Sequence, residues 1–383
     1  MKITTLEVFP VAPRWQFLKV DTDEGLAGWG EPIVEGRAAT TAAAVEEMAD
    51  YLIGQDPRRI EDLFQLLYRG GFYRGGPILS SAISGIEQAL WDIKAKALGV
   101  PVYELLGGPV RDKVRLYAHV RGSTPADCAK TAREAVAAGY TALKMSVTEA
   151  ADWVERPASI DAAVQRFAAV REAVGREIGI GIDFHGRVRR PVAKVLAKAI
   201  EPYDPMFYEE LLLPDNTDAL KEVARSCAVP LATGERMFTR WDFKAVLQAG
   251  VVDILQPDVS HTGGIWELRK IAAMAEAYDV AIAPHCPLGP ITLASSLQID
   301  YCTPNAFIQE QSTNVAYHAG DDNAMFRYVK GNPFPFEAGF VARSTQPGLG
   351  VEINEEAVRE AAKVGHRWRN PVLRLEDGCL AEW

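Results

Sequence analysis

Two kinds of periodicity divide the chain. Near its start, apolar residues fall in short extended runs. "KITTLEVFPV", "WQFLKVDT" and "LAGWGEP" predict an antiparallel meander, with Asp23-Glu24-Gly25 as the hairpin turn. Helical patterns follow. Residues 37–54 stop at Gly54, and residues 57–70 open on Pro57, suited to a first helical turn. Residues 76–99 set Ile83, Ile86, Ala89, Leu90, Ile93 and Ala97 at helical spacing and stop at Gly99, which predicts a core-packing helix. From about residue 115 a new rhythm begins. Short runs rich in β-branched and aromatic residues recur: "RLYAHV", "TALKM", "GIGIDF", "MFYEE", "PLATGE", "VDILQPD", "VAIAPH" and "AFIQEQ". Helical segments such as 156–175, 191–203, 217–227, 240–250 and 264–279 separate them. Strands alternating with helices in this way favour a closed (β/α) barrel. The competing open, doubly wound sheet would be expected to carry a Gly-rich phosphate turn after an early strand, and the sequence has none. Beyond about residue 320, "GNPFPFEAGF" and "STQPGLG" have the turn chemistry of a tail folding back onto the first region. Two domains are expected, the smaller built from both ends of the sequence.

Composition narrows the partners. The 383 residues are 48% hydrophobic and 24% charged, ordinary globular values. A net charge of −10 supplies no basic field for nucleic acid or anionic lipid, so an acidic substrate needs local charge such as a metal ion. Five scattered cysteines without a C-x-x-C argue against a disulfide framework or structural zinc and fit a reducing cytosol. The first residues lack the apolar core of a signal peptide, and no apolar stretch suits a membrane span. A soluble cytoplasmic protein is expected.

The polar residues at the ends of the predicted strands carry the chemistry. Asp183, Glu209, Glu235, Asp258, His285 and Glu310 follow one another at intervals of 26, 26, 23, 27 and 25 residues. One βα unit is about that long, so each falls at the carboxyl end of a strand, where barrel enzymes keep their sites. Asp183, Glu209 and Glu235 would converge from three neighbouring strands and repel one another unless a cation sits between them. Hard oxygen ligands with open positions suit Mg²⁺, and the lack of thiolates or a compact set of histidines disfavours zinc. The competing reading is a ring of surface carboxylates paired with Lys and Arg. Asp258 and His285 on adjacent strands make a candidate dyad, the carboxylate fixing the tautomer and raising the basicity of the imidazole. In "IDFHGR", strand alternation would set Asp183 and His185 on one side and Phe184 on the other.

These strand ends, with "ALWDIKAKALGVPVYELLGG", resemble the enolase superfamily and specifically its mandelate-racemase-like branch. Longer runs over nearly the whole chain, among them "FYRGGPIL", "IDFHGR", "GERMFTRWDF", "APHCPLGPI", "NAFIQEQS" and "GHRWRNPV", resemble the galactonate dehydratases of that branch. The resemblance implies an α/β fold: a (β/α)7β TIM-type barrel over residues 115–320, with an α+β capping domain from residues 1–114 and 321–383. It implies Mg²⁺ held by Asp183, Glu209 and Glu235, with His285 as the base and Asp258 as its partner. His185 would be the general acid, and Glu310 would hydrogen-bond the carboxylate that becomes the enediolate. The implied reaction is dehydration of an aldonate, galactonate first and gluconate or a pentonate behind it, in a homo-oligomer. Lys144 is followed two residues on by Ser146 where lysine-base members carry K-x-K, which argues against a two-base racemase or epimerase. Ser146-Val147, Leu211, Gln16 and the surroundings of Arg121 depart from the expected pattern at places that touch substrate choice. A glycoside hydrolase or a non-catalytic sugar-acid binder are the alternatives of other classes.

Overall fold

The structure, a computed structural model, describes residues 1–313 and 324–383. It opens on an antiparallel sheet of β1 (Ile3–Val11), β2 (Trp15–Thr22) and β3 (Ala27–Gly30) in that order. The turn between β2 and β3 is the expected one, with Gly25 at φ 80°, where only glycine is unstrained. Helices α1 (Ala38–Leu52), α2 (Ile60–Arg69) and α3 (Gly76–Leu98) follow, then the short α4 (Val102–Leu105). Pro57 lies in a turn ahead of α2, not in its first turn. Of the predicted α3 face, Ile83, Ile86, Ala89, Leu90 and Ile93 are buried, whereas Ala97 is exposed near the helix end. Gly28 and Gly30 of β3 lie against this helix. An added Cβ would meet the Ala89 carbonyl at 2.1 Å or the Gly85 carbonyl at 1.8 Å, so only glycine permits the approach.

After β4 (Lys113–Arg115) come β5 (Ala118–His119), β6 (Ala142–Met145), β7 (Gly179–Asp183), β8 (Phe207–Glu209), β9 (Leu231–Thr233), β10 (Ile254–Leu255) and β11 (Ala281–Ile282). Strands β5 to β11 form one seven-stranded parallel sheet in sequence order. Sequential parallel neighbours need crossovers, which α5 (Pro125–Ala137), α6 (Pro157–Val174), α7 (Arg190–Ile200), α8 (Thr217–Ala224), α9 (Arg240–Ala249) and α10 (Ile265–Glu276) provide. Helix α11 (Pro290–Cys302) leads from β11 to residues 306–309, which bridge Ile282 at one edge of the sheet and Leu116 beside the other. The predicted "RLYAHV" strand is split. Lys113–Arg115 pairs instead with β13 in a small antiparallel sheet.

The remaining segment carries α12 (Ala324–Arg327), β12 (Phe336–Glu337), β13 (Phe340–Ala342) and α13 (Glu355–Ala362). It returns to the first region. Leu349 N–H donates to Asp92 of α3, and Arg359 on α13 pairs with Glu7 of β1. The expected domain boundary between residues 320 and 321 lies outside the described residues. Two large cores result. One joins β1–β3, α1–α3 and the tail; the other lies between the parallel sheet and its helices. Among the described residues no helix is long and apolar enough to cross a membrane.

Candidate active site

Each βα unit places one functional side chain at the carboxyl end of its strand. Asp183 ends β7 and pairs in register with Glu209, which ends β8. Glu235 follows β9 by two residues, beyond Gly234, whose added Cβ would meet the Gln256 backbone at 2.7 Å. One carboxylate oxygen from each of Asp183, Glu209 and Glu235 lies within 4.8 Å of the others. Glu209 Oε2 and Glu235 Oε2 are buried and accept no hydrogen bond. Burial and the Asp183 charge push the Glu209 carboxyl well up, and burial with Glu210 pushes Glu235 to about 8. Burial also pushes Asp183 upward, but His185 and Lys144 outweigh it and hold that carboxyl low. Unsatisfied oxygens converging under mutual repulsion fit a hard divalent cation.

A lysine already shares this cluster. Lys144, buried on β6, sets its Nζ 2.8 Å from Glu209, 2.8 Å from Glu310 and 3.5 Å from Asp183. Burial works against its charge, yet Glu209 and Glu310 hold its pKa well above the usual value. Glu310 Oε1 also meets His119 Nε2 at 3.1 Å, and its Oε2 accepts the Cys286 N–H at 2.8 Å. Burial pushes Glu310 up, but Lys144 and His285 keep it well below the carboxylate range. Glu310 is therefore ionised and accepts hydrogen bonds here, where the sequence suggested a donor. Lys144 and His119 are neighbours of the candidate site that sequence reasoning left without a role. The available signal was a charged or polar residue inside an apolar strand run.

The dyad forms as expected. His285 Nδ1 and Asp258 Oδ2 are 2.8 Å apart, leaving Nε2 directed at the cluster, 3.5 Å from Glu235 and 3.9 Å from Glu310. Burial lowers the affinity of His285 for a proton, but Glu235, Glu310 and Asp258 outweigh it and raise the pKa well above its ordinary value. Helix α3 fixes the loop that holds Asp258. Gln88 Nε2 donates to Ser260 Oγ at 2.9 Å, Ser84 Oγ accepts from Gly263 N at 2.8 Å, and Glu87 caps α10 by accepting from Ile265 N at 2.7 Å. Glu31, after β3, accepts from Gly289 N and Thr292 N at the start of α11 and so braces the loop after His285.

His185 reaches the cluster by a turn. Its φ is 51°, its N–H donates to Asp183 Oδ1 at 2.9 Å, and its Nε2 lies 3.2 Å from Asp183 Oδ2. As expected, Asp183 and His185 lie together while Phe184 points the other way and packs edge-on to Tyr208 in the core, although His185 sits in a turn just past the end of β7. Arg236 holds the turn by donating to the His185 carbonyl while pairing with Glu210. Burial pulls the His185 imidazole down to about 4, against the opposing pull of Asp183. The departures Gln16 and Leu211 are both buried; Gln16 donates to the Pro32 carbonyl, and Ser146 Oγ donates to the Thr148 carbonyl.

Known proteins resemble this chain in sequence and fold along its length. Residues 11–107 match the mandelate racemase/muconate lactonizing enzyme N-terminal domain, and residues 127–357 match the enolase C-terminal domain-like family. Proteins named D-galactonate dehydratase from Ralstonia nicotianae and Ralstonia pickettii are 54% and 55% identical over the full length of both chains. That from Variovorax paradoxus is 52% identical over the same span. A solved member of the enolase superfamily from Salmonella Typhimurium superposes with a TM-score of 0.88 at 31% identity, covering 94% of this chain and 98% of its own. An enolase from Agrobacterium radiobacter, solved with sodium and L-malate bound, gives 0.89 at 34% identity with complete coverage of both.

Proposed function

Because the chain belongs to the mandelate racemase/muconate lactonizing enzyme family of the enolase superfamily, we propose that it is a Mg²⁺-dependent hydro-lyase that converts D-galactonate to 2-dehydro-3-deoxy-D-galactonate and water. The observation that carries the reading is the His285 ring, held at Nδ1 by Asp258 with its Nε2 facing the Asp183–Glu209–Glu235 cluster. The full-length likeness to D-galactonate dehydratases supports the substrate, and L-malate in a superposable relative is, like galactonate, a 2-hydroxy acid.

Asp183, Glu209 and Glu235 would hold the ion. When bound, Mg²⁺ supplies the positive charge that makes a proton beside a carboxylate acidic enough to remove. Glu235 and Glu310 facing His285 raise its proton affinity; with a cation balancing those carboxylates, its Nε2 would be free to take the C2 proton, and Asp258 would stabilise the imidazolium through Nδ1. The electron pair left at C2 enters the carboxylate as an enediolate. It then forms the C2=C3 bond as the C3–O bond breaks. His185 gives the departing hydroxyl its proton, so water leaves, and the enol takes a proton at C3 to become the 2-keto acid. His185 is uncharged near neutral pH in this state. Its proton has to arrive with the substrate, whose negative charge beside the ring favours imidazolium. Glu310, being ionised, is assigned to hold Lys144 and His119 toward the substrate carboxylate, where the Lys144 ammonium and a ring N–H match developing charge.

On this reading the seven-stranded sheet and residues 306–309 make one closed (β/α)7β barrel, with residues 1–114 and 321–383 as its cap. The protein is assigned to the cytoplasm as a homo-oligomer; its free cysteines suit that compartment. One observation favours a second reading. An uncharged His185 opposite His285 could serve as a second base, making the enzyme an epimerase or racemase. The test is a panel of stereoisomeric aldonates with Mg²⁺, assayed for 2-keto-3-deoxy acids and repeated in EDTA. Galactonate should give product only with the metal. Inversion at C2 without loss of water would favour the second reading, and silence across the panel would refute the first.

A further inference from the structure

We propose that Trp383 is a positioning residue for His185, delivered to it by the tail and acting on dehydration but not on C2 deprotonation. The Trp383 and His185 rings meet edge to face, with centroids 5.5 Å apart and planes at 83°. That arrangement directs ring hydrogens at a π face and restricts how the imidazole can turn about its side-chain bonds. His185 needs such restraint. It sits on a turn of positive φ; Asp183 Oδ2 meets its Nε2 at 3.2 Å, but its Nδ1 is buried with no hydrogen-bond partner, so the ring is held by a polar contact at one nitrogen only.

Two arginines of the same loop grip the tail. The Arg187 guanidinium lies 5.3 Å from the centre of the Trp383 ring, and Arg189 Nη2 lies 3.1 Å from Glu382 Oε2. Arg187 is itself anchored by donating to the Thr148 carbonyl at 2.9 Å. The tail reaches this loop through a small hairpin in which Arg374 bridges Leu380, Leu375 N–H donates to Cys379 O, and Gly378 turns at φ 88°. His185, Arg187 and Arg189 alternate along the chain and all touch Trp383 or Glu382. The contact is therefore a latch between the tail and the loop of the proposed acid.

The inference rests on His185 being the acid. It is tested with Trp383→Ala and Trp383→Phe in the full chain with Mg²⁺ and galactonate, following solvent deuterium entry at C2 beside 2-keto-3-deoxy acid formation. Trp383→Ala should keep C2 exchange within about twofold while dehydration falls roughly tenfold to a hundredfold, the cost of a misplaced catalytic group. Trp383→Phe keeps a ring at that place and should recover most of the dehydration. A parallel fall of exchange and dehydration, or no fall in either, would overturn the proposal. His185→Asn separates the two levels: if it still dehydrates, the acid assignment fails, and if it alone is inactive, only the role of Trp383 fails. A readout independent of turnover is the proton spectrum of the six histidines. The His185 ring protons should lose a ring-current shift in Trp383→Ala, and an unmoved resonance would equally overturn the contact.

Discussion

Replacing Lys144 with methionine tests the charge balance on which the metal reading depends. Methionine preserves the unbranched stem and removes only the ammonium. At an effective dielectric of about 20, an ion pair at 2.8 Å is worth roughly 6 kcal/mol and one at 3.5 Å roughly 5 kcal/mol. Lys144 makes one of the first kind, to Glu310, and one of the second, to Asp183, and meets Glu209 at 2.8 Å in a pair discounted by that group's raised proton affinity. Desolvation of all four buried groups offsets most of that sum, and the carboxylates can also relax by taking up protons. Removing one partner of a buried charge network typically leaves a net loss of about 3–5 kcal/mol. The metal-free variant should lose that much in urea denaturation followed after EDTA treatment. Mg²⁺ would then supply the missing positive charge. Binding at a hundredfold over the dissociation constant stabilises either protein by about 2.7 kcal/mol. The variant should gain more than this at equal Mg²⁺, because its cluster is more negative and binds the ion more tightly, so its deficit should narrow. A deficit under about 1 kcal/mol in EDTA would refute the electrostatic argument. An equal deficit with and without Mg²⁺ would show that lysine and ion do not share one field.

Other consequences can be checked separately. His285→Asn should abolish deuterium exchange at C2 of galactonate, whereas His185→Asn should spare exchange and block dehydration; loss of exchange in both would mean that acid and base are assigned wrongly. Glu87 is pushed by burial from 4.5 to about 8 while capping α10. Between those values the folded chain holds a proton that the unfolded chain has released, so this group's contribution to stability falls as pH rises, by up to about 1.4 kcal/mol per pH unit. Glu87→Gln should flatten urea midpoints measured from pH 5 to 8, and an unchanged slope would count against a buried neutral Glu87. Phe184→Ala removes a fully buried ring packed on Tyr208. It should cost about 3–5 kcal/mol, and a loss below about 1 kcal/mol would mean that the end of β7 is not held by that contact.

Much of the site was legible because strand ends are periodic. A βα unit has a near-constant length, so regularly spaced acids and histidines mark one rim through their linear spacing alone, and Asp183, Glu209, Glu235, Asp258 and His285 do converge. The hairpin strands and the ends of α3 were equally local matters of alternation, glycine and spacing. Long-range partners had no such signature. Helix α3 reads as a core-packing helix, yet Ser84, Glu87 and Gln88 are buried and hold the loop of Asp258. Linear spacing is silent on which strand faces lie opposite Lys144, so its role as counter-charge emerged only when β6, β8 and the segment of Glu310 were brought together. The protonation states were decided in the same way. Glu310 is a carboxyl group in any sequence, but Lys144 and His285 keep it ionised against the effect of burial, while enclosure leaves His185 neutral. The sequence by itself determined which chemical groups the rim carries and in what order. Tertiary structure decided how each is charged, because charge depends on neighbours distant in the chain and on the solvent they exclude.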